Sequence, residues 1–391
     1  MDRFDVAVVG AGLVGAALAH DLGARGASVA VLEKETEPAA GASRSNSGVV
    51  HTGFDSKPGE FETEMILAQS ERWRDVFDAL EIPYRETGAL LTAVDDEEAS
   101  RLPNMAENAA SNGVRVELLD GKEARRLEPR APAVAGLLVP GESITDPYEV
   151  VRRMLASGPN IETRLGWPVS GVEPDGEGAV VQGPSGDVSA GFVLNCAGLF
   201  GDEIAGDDSF RIIPRRGEFA VFGEGTAGLV DRILLPVPNP ATKGVLVFPT
   251  LYGHLCAGPS AVDQEDKSDW QAHREGLEFV KERGARLLPE IRGLQPSDSW
   301  AGLRPAGSVR NYVLGWSARV PAMYHVAAIR STGLSSCLGL SEHVTGLLQD
   351  RGLQLSPGTD GPSRAAPVFE DDPPRPWWER LNALRGVGPP C

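Results

Sequence analysis

Phe4-Asp5-Val6-Ala7-Val8-Val9 runs directly into Gly10-Ala11-Gly12-Leu13-Val14-Gly15, and the reading of this stretch decides the fold. The first part is apolar and β-branched, the pattern of a buried strand. Ala16 to Arg25 follows as an Ala/Leu-rich helix, Gly26 ends it, and Ser28-Val29-Ala30-Val31-Leu32 reads as a second strand. Strand, tight turn, helix and strand make the first half of a doubly wound nucleotide-binding unit. Gly10 permits the turn, Gly12 lets the backbone approach a pyrophosphate, and Gly15 allows the helix to pack closely on the strand. Leu13 and Val14 sit at the helix N-terminus, where a phosphate rests. Glu33 and Lys34 close the second strand, about 20 residues after the turn, where an acid accepts hydrogen bonds from a ribose diol. Glycine-rich turns also occur without a ligand. Here the flanking strand, helix, second strand and acid are all present, which points to a dinucleotide site without separating FAD from NAD.

Three further segments carry small residues after apolar runs. Gly41 to Gly53 contains Ser43, Arg44, Ser45, Asn46, Ser47 and Gly48. It reads either as a polar loop or as a segment lying along a pyrophosphate and an isoalloxazine. Phe192 to Asn195 is a strand entering the turn Cys196-Ala197-Gly198. Val326 to Ile329 is a strand leading through Arg330-Ser331-Thr332-Gly333-Leu334-Ser335 into a helix from Cys337 to Asp350. The positive end of that helix would face whatever precedes it, which suits the negative N1/O2 edge of a reduced flavin.

Composition removes other classes. The 391 residues are 41% hydrophobic and 24% charged, enough for a large core in two or three domains. Lys+Arg 37 against Asp+Glu 55 gives a net charge of −18, which repels phosphate backbones and anionic lipid. No nucleic-acid partner is expected. The cysteines Cys196, Cys256, Cys337 and Cys391 show no CxxC or metal-ligand spacing, so a disulfide framework, structural zinc or iron–sulfur cluster is not expected, and a cytoplasmic location is. The apolar run Val6 to Ala19 is too short for a membrane span and is broken by glycines, and Asp2 and Asp5 do not suit a signal peptide. No integral membrane contact is expected. No Ser-His-Asp constellation, HExxH or GxxxxGK[ST] is present.

With Arg215-Arg216-Gly217-Glu218, Phe248-Pro249-Thr250 through Gly258-Pro259, and Gly302-Leu303-Arg304-Pro305-Ala306, the four segments resemble the FAD-dependent glycerol-3-phosphate dehydrogenase/oxidase and L-2-hydroxyglutarate oxidase branch of the D-amino-acid-oxidase-like superfamily. The likeness covers the chain to about Asp350. It implies an α/β protein: a Rossmann-like (GR2-type) FAD-binding domain with an inserted α+β substrate domain on a mainly antiparallel sheet. The implied FAD domain is discontinuous, at 1–85, 148–210 and 300–355, and the substrate domain takes 86–147 and 211–299. Residues 356–391, rich in Pro and charge, read as a tail without its own core, with Trp377 and Trp378 able to dock it. The resemblance also implies FAD as cofactor and a backbone contact to adenine near Val169. Cys196, Ala197, Gly198, Thr332, Gly333, Leu334 and Ser335 would lie at the cofactor.

The local pattern adds details. Glu62 to Leu80 reads as a helix, Asp146 as a cap with Pro147 in the first turn, and Val169 to Val188 as a hairpin. Phe219 to Phe222, Val245 to Phe248 and His254 to Ala257 read as strands that would roof the flavin.

Oxidising a secondary alcohol requires a base for the hydroxyl proton and a clamp for the substrate. His51 is the first candidate for the base, because imidazole titrates near neutral pH and the matching family position faces the flavin. A histidine after Val49-Val50 could equally be a packing residue. Arg304 is the candidate clamp, since a guanidinium grips a carboxylate or phosphate through two parallel bonds; the alternative is a surface ion pair. Arg330, Arg215 and Arg216 could assist. Tyr252 and His254 rank below His51 for substrate contact or proton transfer, Lys243 is a weaker anion candidate, and Asp202 reads as a helix cap.

The expected reaction is oxidation of a small anionic 2-hydroxy acid or polyol phosphate to the ketone. Glycerol 3-phosphate leads, and L-2-hydroxyglutarate or a phosphonate or other acidic metabolite follows. Electrons would pass to oxygen or to an unidentified acceptor. Amino-acid or amine oxidation, a flavin-binding protein without turnover and an NAD-binding scaffold are the alternatives. Nothing in these residues sets an oligomeric state.

Overall fold

The computed structural model describes residues 1–238, 244–308, 311–356 and 375–386. The elements that position the site are, in chain order, β1 (Asp2–Val9), α1 (Leu13–Ala24), β2 (Val29–Leu32), β3 (Val188–Asn195), β4 (Ile212–Phe222), β5 (Pro296–Gly307), β6 (Met323–Ala327), α2 (Gly333–Asp350) and α3 (Trp377–Arg385).

The expected strand–turn–helix–strand unit is present. β1 lies between β2 and β3, parallel to both, and β3 pairs in parallel with β6 through Val193 to Asn195. Strand Ile161–Arg164 extends the parallel set beyond β2. Burial on both faces explains the unbroken apolar run in β1, where Val6, Ala7 and Val8 are fully enclosed. The hairpin Gly171–Asp175 and Gly178–Gln182 adds antiparallel strands to the first half of β3. Helix α1 packs against α2, so the first and last long helices of the unit are neighbours.

The second sheet is mainly antiparallel, as expected. β4 and β5 pair antiparallel from Ile212 opposite Gly307 to Phe222 opposite Pro296. Strand Ile233–Pro236 runs parallel to Ala89–Ala93. A small third sheet pairs Val49–Val50 and Tyr84–Glu86 with Ser143–Thr145. It sets Val50 opposite Ser143, and therefore sets position 51 beside position 142.

One expectation changes. The helix read from Glu62 to Leu80 is two helices, Phe61–Ser70 and Trp73–Ala79. Residue 300, the start of the last expected FAD-domain segment, lies within β5, which pairs with β4 along its length. Within the terminal segment α3 seats Trp377 and Trp378, the residues expected to dock it, at 1% exposure. Trp378 stacks on Trp300 with rings 5.5 Å apart, and Trp300 stacks on Phe219 at 4.5 Å. Burial of three large rings explains why this short helix docks.

Candidate active site

The carboxyl ends of β1, β2, β3 and β6 open into one continuous cavity of about 1010 Å³, which reaches under the second sheet. This is where ligands bind in open parallel sheets, and its size is at the upper end of small-molecule sites. The turn after β1 is shaped by its glycines. Gly10 has φ +107°, and a Cβ there would stand 2.6 Å from the Cys196 carbonyl oxygen. A Cβ on Gly12 would meet Ser43 Oγ at 2.7 Å, while the Leu13 N–H donates to that same oxygen at 2.9 Å. Ser43 therefore sits over the N-terminus of α1. At the end of β2 the Glu33 carboxylate accepts from the Ala11 N–H at 2.8 Å and the Glu35 N–H at 3.0 Å. Burial raises the Glu33 carboxyl above the ordinary range, and these two amides oppose that shift.

Most of the expected cofactor residues line this cavity: Gly10, Gly12, Leu13, Val14, Glu33 and Lys34; Ser43, Ser45, Asn46 and Ser47; Cys196, Ala197 and Gly198; and Thr332, Gly333 and Leu334. Five do not. Gly15 lies beneath the turn, where a Cβ would overlap the Gly10 carbonyl, so its part is helix–strand packing. Arg44 is fully buried, with Nη1 on Glu37 at 2.8 Å and Nη2 on the Pro38 carbonyl at 2.6 Å, and is structural. Gly48 has φ +70° and fits against the Thr145 carbonyl and Trp377. Val169 packs on the cluster around Trp167 and Val172. Ser335 acts at one remove: its Oγ accepts the His51 backbone N–H at 2.8 Å.

His51 lines the cavity, and its ring is held from behind. Nδ1 lies 2.7 Å from Glu142 Oε2, and the other Glu142 oxygen accepts from the Thr52 N–H at 2.8 Å and the Thr52 hydroxyl at 2.9 Å. Glu142 is fully buried. Sequence reasoning missed it, because the contact is made by the pairing of Val50 with Ser143 across a long separation in the chain. A His Nδ1–H given to a carboxylate leaves Nε2 as the nitrogen that accepts a proton, the orientation a general base needs.

The four candidate arginines separate by their partners. Arg215 gives two bonds to Asp263, at 2.5 and 2.8 Å. Arg216 is taken by Glu218 at 2.9 Å and Asp269 at 2.8 Å. Arg330, at φ +54°, pairs with Glu62, which also accepts from Thr332 Oγ1 at 2.8 Å. Arg304 lines the cavity and donates Nη2 to the Ser260 carbonyl at 2.8 Å. Among the described residues no carboxylate lies within ion-pair distance of it. Burial and the neighbouring Arg215 lower its guanidinium to about 10, so it stays cationic at neutral pH.

Tyr252 and His254 are not brought to the cavity. The Tyr252 hydroxyl donates to Asp146 Oδ2 at 2.5 Å, and both rings pack edge-on against Trp378. Asp146 is the expected cap, accepting from the Tyr148 and Glu149 amides. Asp202 is no cap; its carboxylate accepts the Ile212 N–H and pairs with Lys267 at 2.7 Å. Lys243 lies outside the described residues.

A cavity that joins a nucleotide-cradling turn to a carboxylate-backed histidine marks a dinucleotide-dependent redox enzyme. The family follows from comparison: the model described as FAD dependent oxidoreductase, DAO, matches residues 5–347, and the chain belongs to that family. A glycerol 3-phosphate dehydrogenase of Caloramator mitchellensis is 29% identical over 357 residues, covering 89% of this chain and 74% of the relative. A mitochondrial L-2-hydroxyglutarate dehydrogenase of Caenorhabditis elegans is 31% identical over 281 residues, covering 67% of this chain and 64% of the relative. Among solved structures, FAD-bound, dithionite-reduced L-α-glycerophosphate oxidase of Mycoplasma pneumoniae superposes with a TM-score of 0.84 at 24% identity, covering 92% of this chain and 98% of that one. The protein is thus an FAD-dependent oxidoreductase with a mixed α/β fold.

The residues present fit FAD. The Gly10 and Gly12 cradle leaves no room for a side chain, Glu33 is oriented by two backbone amides, and the N-terminus of α2 at Gly333 and Leu334 lines the same cavity. These three features match a pyrophosphate, the adenosine ribose diol and an electron-rich flavin edge of one extended cofactor.

Proposed function

We propose that the enzyme oxidises a small anionic secondary alcohol to the ketone, with glycerol 3-phosphate as the leading substrate and L-2-hydroxyglutarate as the close alternative. The observation that carries this reading is that His51, backed by Glu142, and Arg304, without a carboxylate of its own among the described residues, line one cavity. The relative that acts on glycerol 3-phosphate matches 89% of this chain and the hydroxyglutarate relative 67%, which sets their order.

Bound FAD supplies the hydride acceptor. Arg304 holds the substrate anion through the guanidinium N–H donors that are not given to Ser260. His51 takes the hydroxyl proton at Nε2 as the carbon gives up its hydride, and Glu142 stabilises the imidazolium that results. Leu91, Phe219, Leu235 and Leu246 form the apolar roof that keeps water from this exchange. Reoxidation would be by oxygen or a separate acceptor. Among the described residues no helix is long and apolar enough to cross a membrane, and Cys196, Cys256 and Cys337 are free thiols, which suits a reducing cytoplasm.

The test is product analysis after aerobic turnover, and again with an artificial acceptor, on matched panels of hydroxy acids, polyol phosphates and amino acids. Formation of a keto product from glycerol 3-phosphate or L-2-hydroxyglutarate supports the reading. Ammonia release from an amino acid, with no product from any hydroxy compound, overturns it.

A further inference from the structure

Helix α3 lies beyond residue 347, where the family match ends, yet it reaches the cofactor cavity: Leu384 and Arg385 are part of its wall. Three contacts fix where Arg385 stands. Its Nη2 donates to the Ala40 carbonyl at 2.7 Å. The loop holding Ala40 is tied to the glycine turn by the bond from the Ala39 N–H to the Ala11 carbonyl at 2.8 Å, and Ser43 of the same loop caps the N-terminus of α1. From the other side, the guanidinium lies 3.5 Å from the Trp270 ring centroid. The arginine is therefore clamped between the phosphate-side loop of the first sheet and a tryptophan of the segment before the helix Arg274–Leu287.

Glu35 acts on the Arg385 charge only at longer range. Among the described residues no carboxylate lies within ion-pair distance of Arg385, whereas its neighbour Arg44 is paired with Glu37. Burial, with Arg44 nearby, lowers its guanidinium to about 9, so the group is held cationic at some cost. A half-buried cation in a cavity wall, beside a helix N-terminus and a glycine turn, is a complement for a dianion.

We propose that Arg385 is an FAD-binding residue: the C-terminal helix brings a guanidinium to the cofactor's pyrophosphate and closes that side of the cavity. Trp377 and Trp378 anchor the helix through the Trp300 stack, and Trp300 Nε1 donates to the Ser45 carbonyl at 3.1 Å, so one docking event sets both the pyrophosphate contact and the flavin-side loop. The inference rests on the FAD assignment and is independent of the substrate.

The test uses the full-length holoenzyme and reads flavin release, which is separable from turnover. Arg385→Gln keeps a donor for Ala40 but removes the charge, and Arg385→Lys keeps the charge. Released FAD, followed by its fluorescence after dilution, should appear roughly tenfold or more faster from Arg385→Gln, the scale of a lost hydrogen bond to a charged group. Arg385→Lys should recover part of the difference. Added salt should accelerate release from the wild type more than from Arg385→Gln, since a charge contact is screened. Wild-type retention in Arg385→Gln overturns the proposal. So does equal loss in both variants with no difference in salt response, which would make Arg385 a peg for Ala40 and Trp270. A substrate panel that fails with FAD still bound would count against the proposed substrate and leave this result unaffected.

Discussion

Glu142 lies 2.7 Å behind the His51 ring and is fully enclosed, while His51 itself borders the cavity. A buried carboxylate is costly unless its oxygens are satisfied, and here both are: His51 and Thr52 provide the donors. The arrangement makes Glu142 the positioning residue for His51. His51→Ala should keep FAD bound and slow flavin reduction by roughly 10²-fold or more. Glu142→Gln should slow the same step with the substrate affinity nearly unchanged. Stopped-flow reduction separates the two parameters. An effect on substrate affinity alone would remove the pair from proton transfer.

The proposed clamp role of Arg304 predicts selectivity for anions. Arg304→Ala should lower kcat/KM for anionic substrates by roughly 10- to 100-fold, the range for hydrogen bonds to a charged group, while a neutral alcohol analogue loses far less. Steady-state kinetics on glycerol 3-phosphate against glycerol reads the difference. Equal losses on both would contradict the clamp.

Much of this site was legible in the chain. The glycine turn, the acid at Glu33 and the small-residue loops after each strand are encoded by short-range pattern, because backbone approach and helix termini need particular residues at fixed offsets; His51 and Arg304, raised with the help of the family resemblance, line the cavity. What could not be read depends on distant pairing. Glu142 reaches His51 only when Val50 meets Ser143, and the choice among four arginines depends on which carboxylates fold next to the others. Arg44 and Tyr252 looked like site residues by position, but each has hydrogen-bond partners elsewhere. The helix break after Ser70 is likewise decided by packing.

Asp146 gives a pH signature in stability. Burial pushes its carboxyl up to about 6 from 3.8, against the bonds from Tyr252 and two backbone amides. The folded chain then binds a proton that the unfolded chain releases between about pH 4 and pH 6, so this group's contribution to stability falls as the pH rises through that window and is level above it. Asp146→Asn retains a capping side chain and removes the titration. Across the window the wild type should lose up to about 3 kcal/mol relative to the variant. Urea midpoints at pH 4, 5, 6 and 7 check this; a constant difference would contradict it.

Trp378 holds the terminal helix. Trp378→Ala should destabilise the protein by about 3–5 kcal/mol, the usual range for a buried tryptophan, and Trp378→Phe by less. Because Trp300 bridges Trp378 to Ser45, flavin retention should fall with stability in the alanine variant. Paired urea unfolding and flavin-fluorescence measurements test both effects, and a loss of neither would contradict the docking account.

The most direct measurement is an anaerobic titration of the purified holoenzyme, following the oxidised flavin band near ~450 nm, which disappears when hydride arrives. The account predicts bleaching by glycerol 3-phosphate or, failing that, by L-2-hydroxyglutarate, with the same addition leaving His51→Ala largely oxidised on that timescale. Bleaching by an amino acid with every hydroxy compound inert, or unchanged bleaching in His51→Ala, would contradict it.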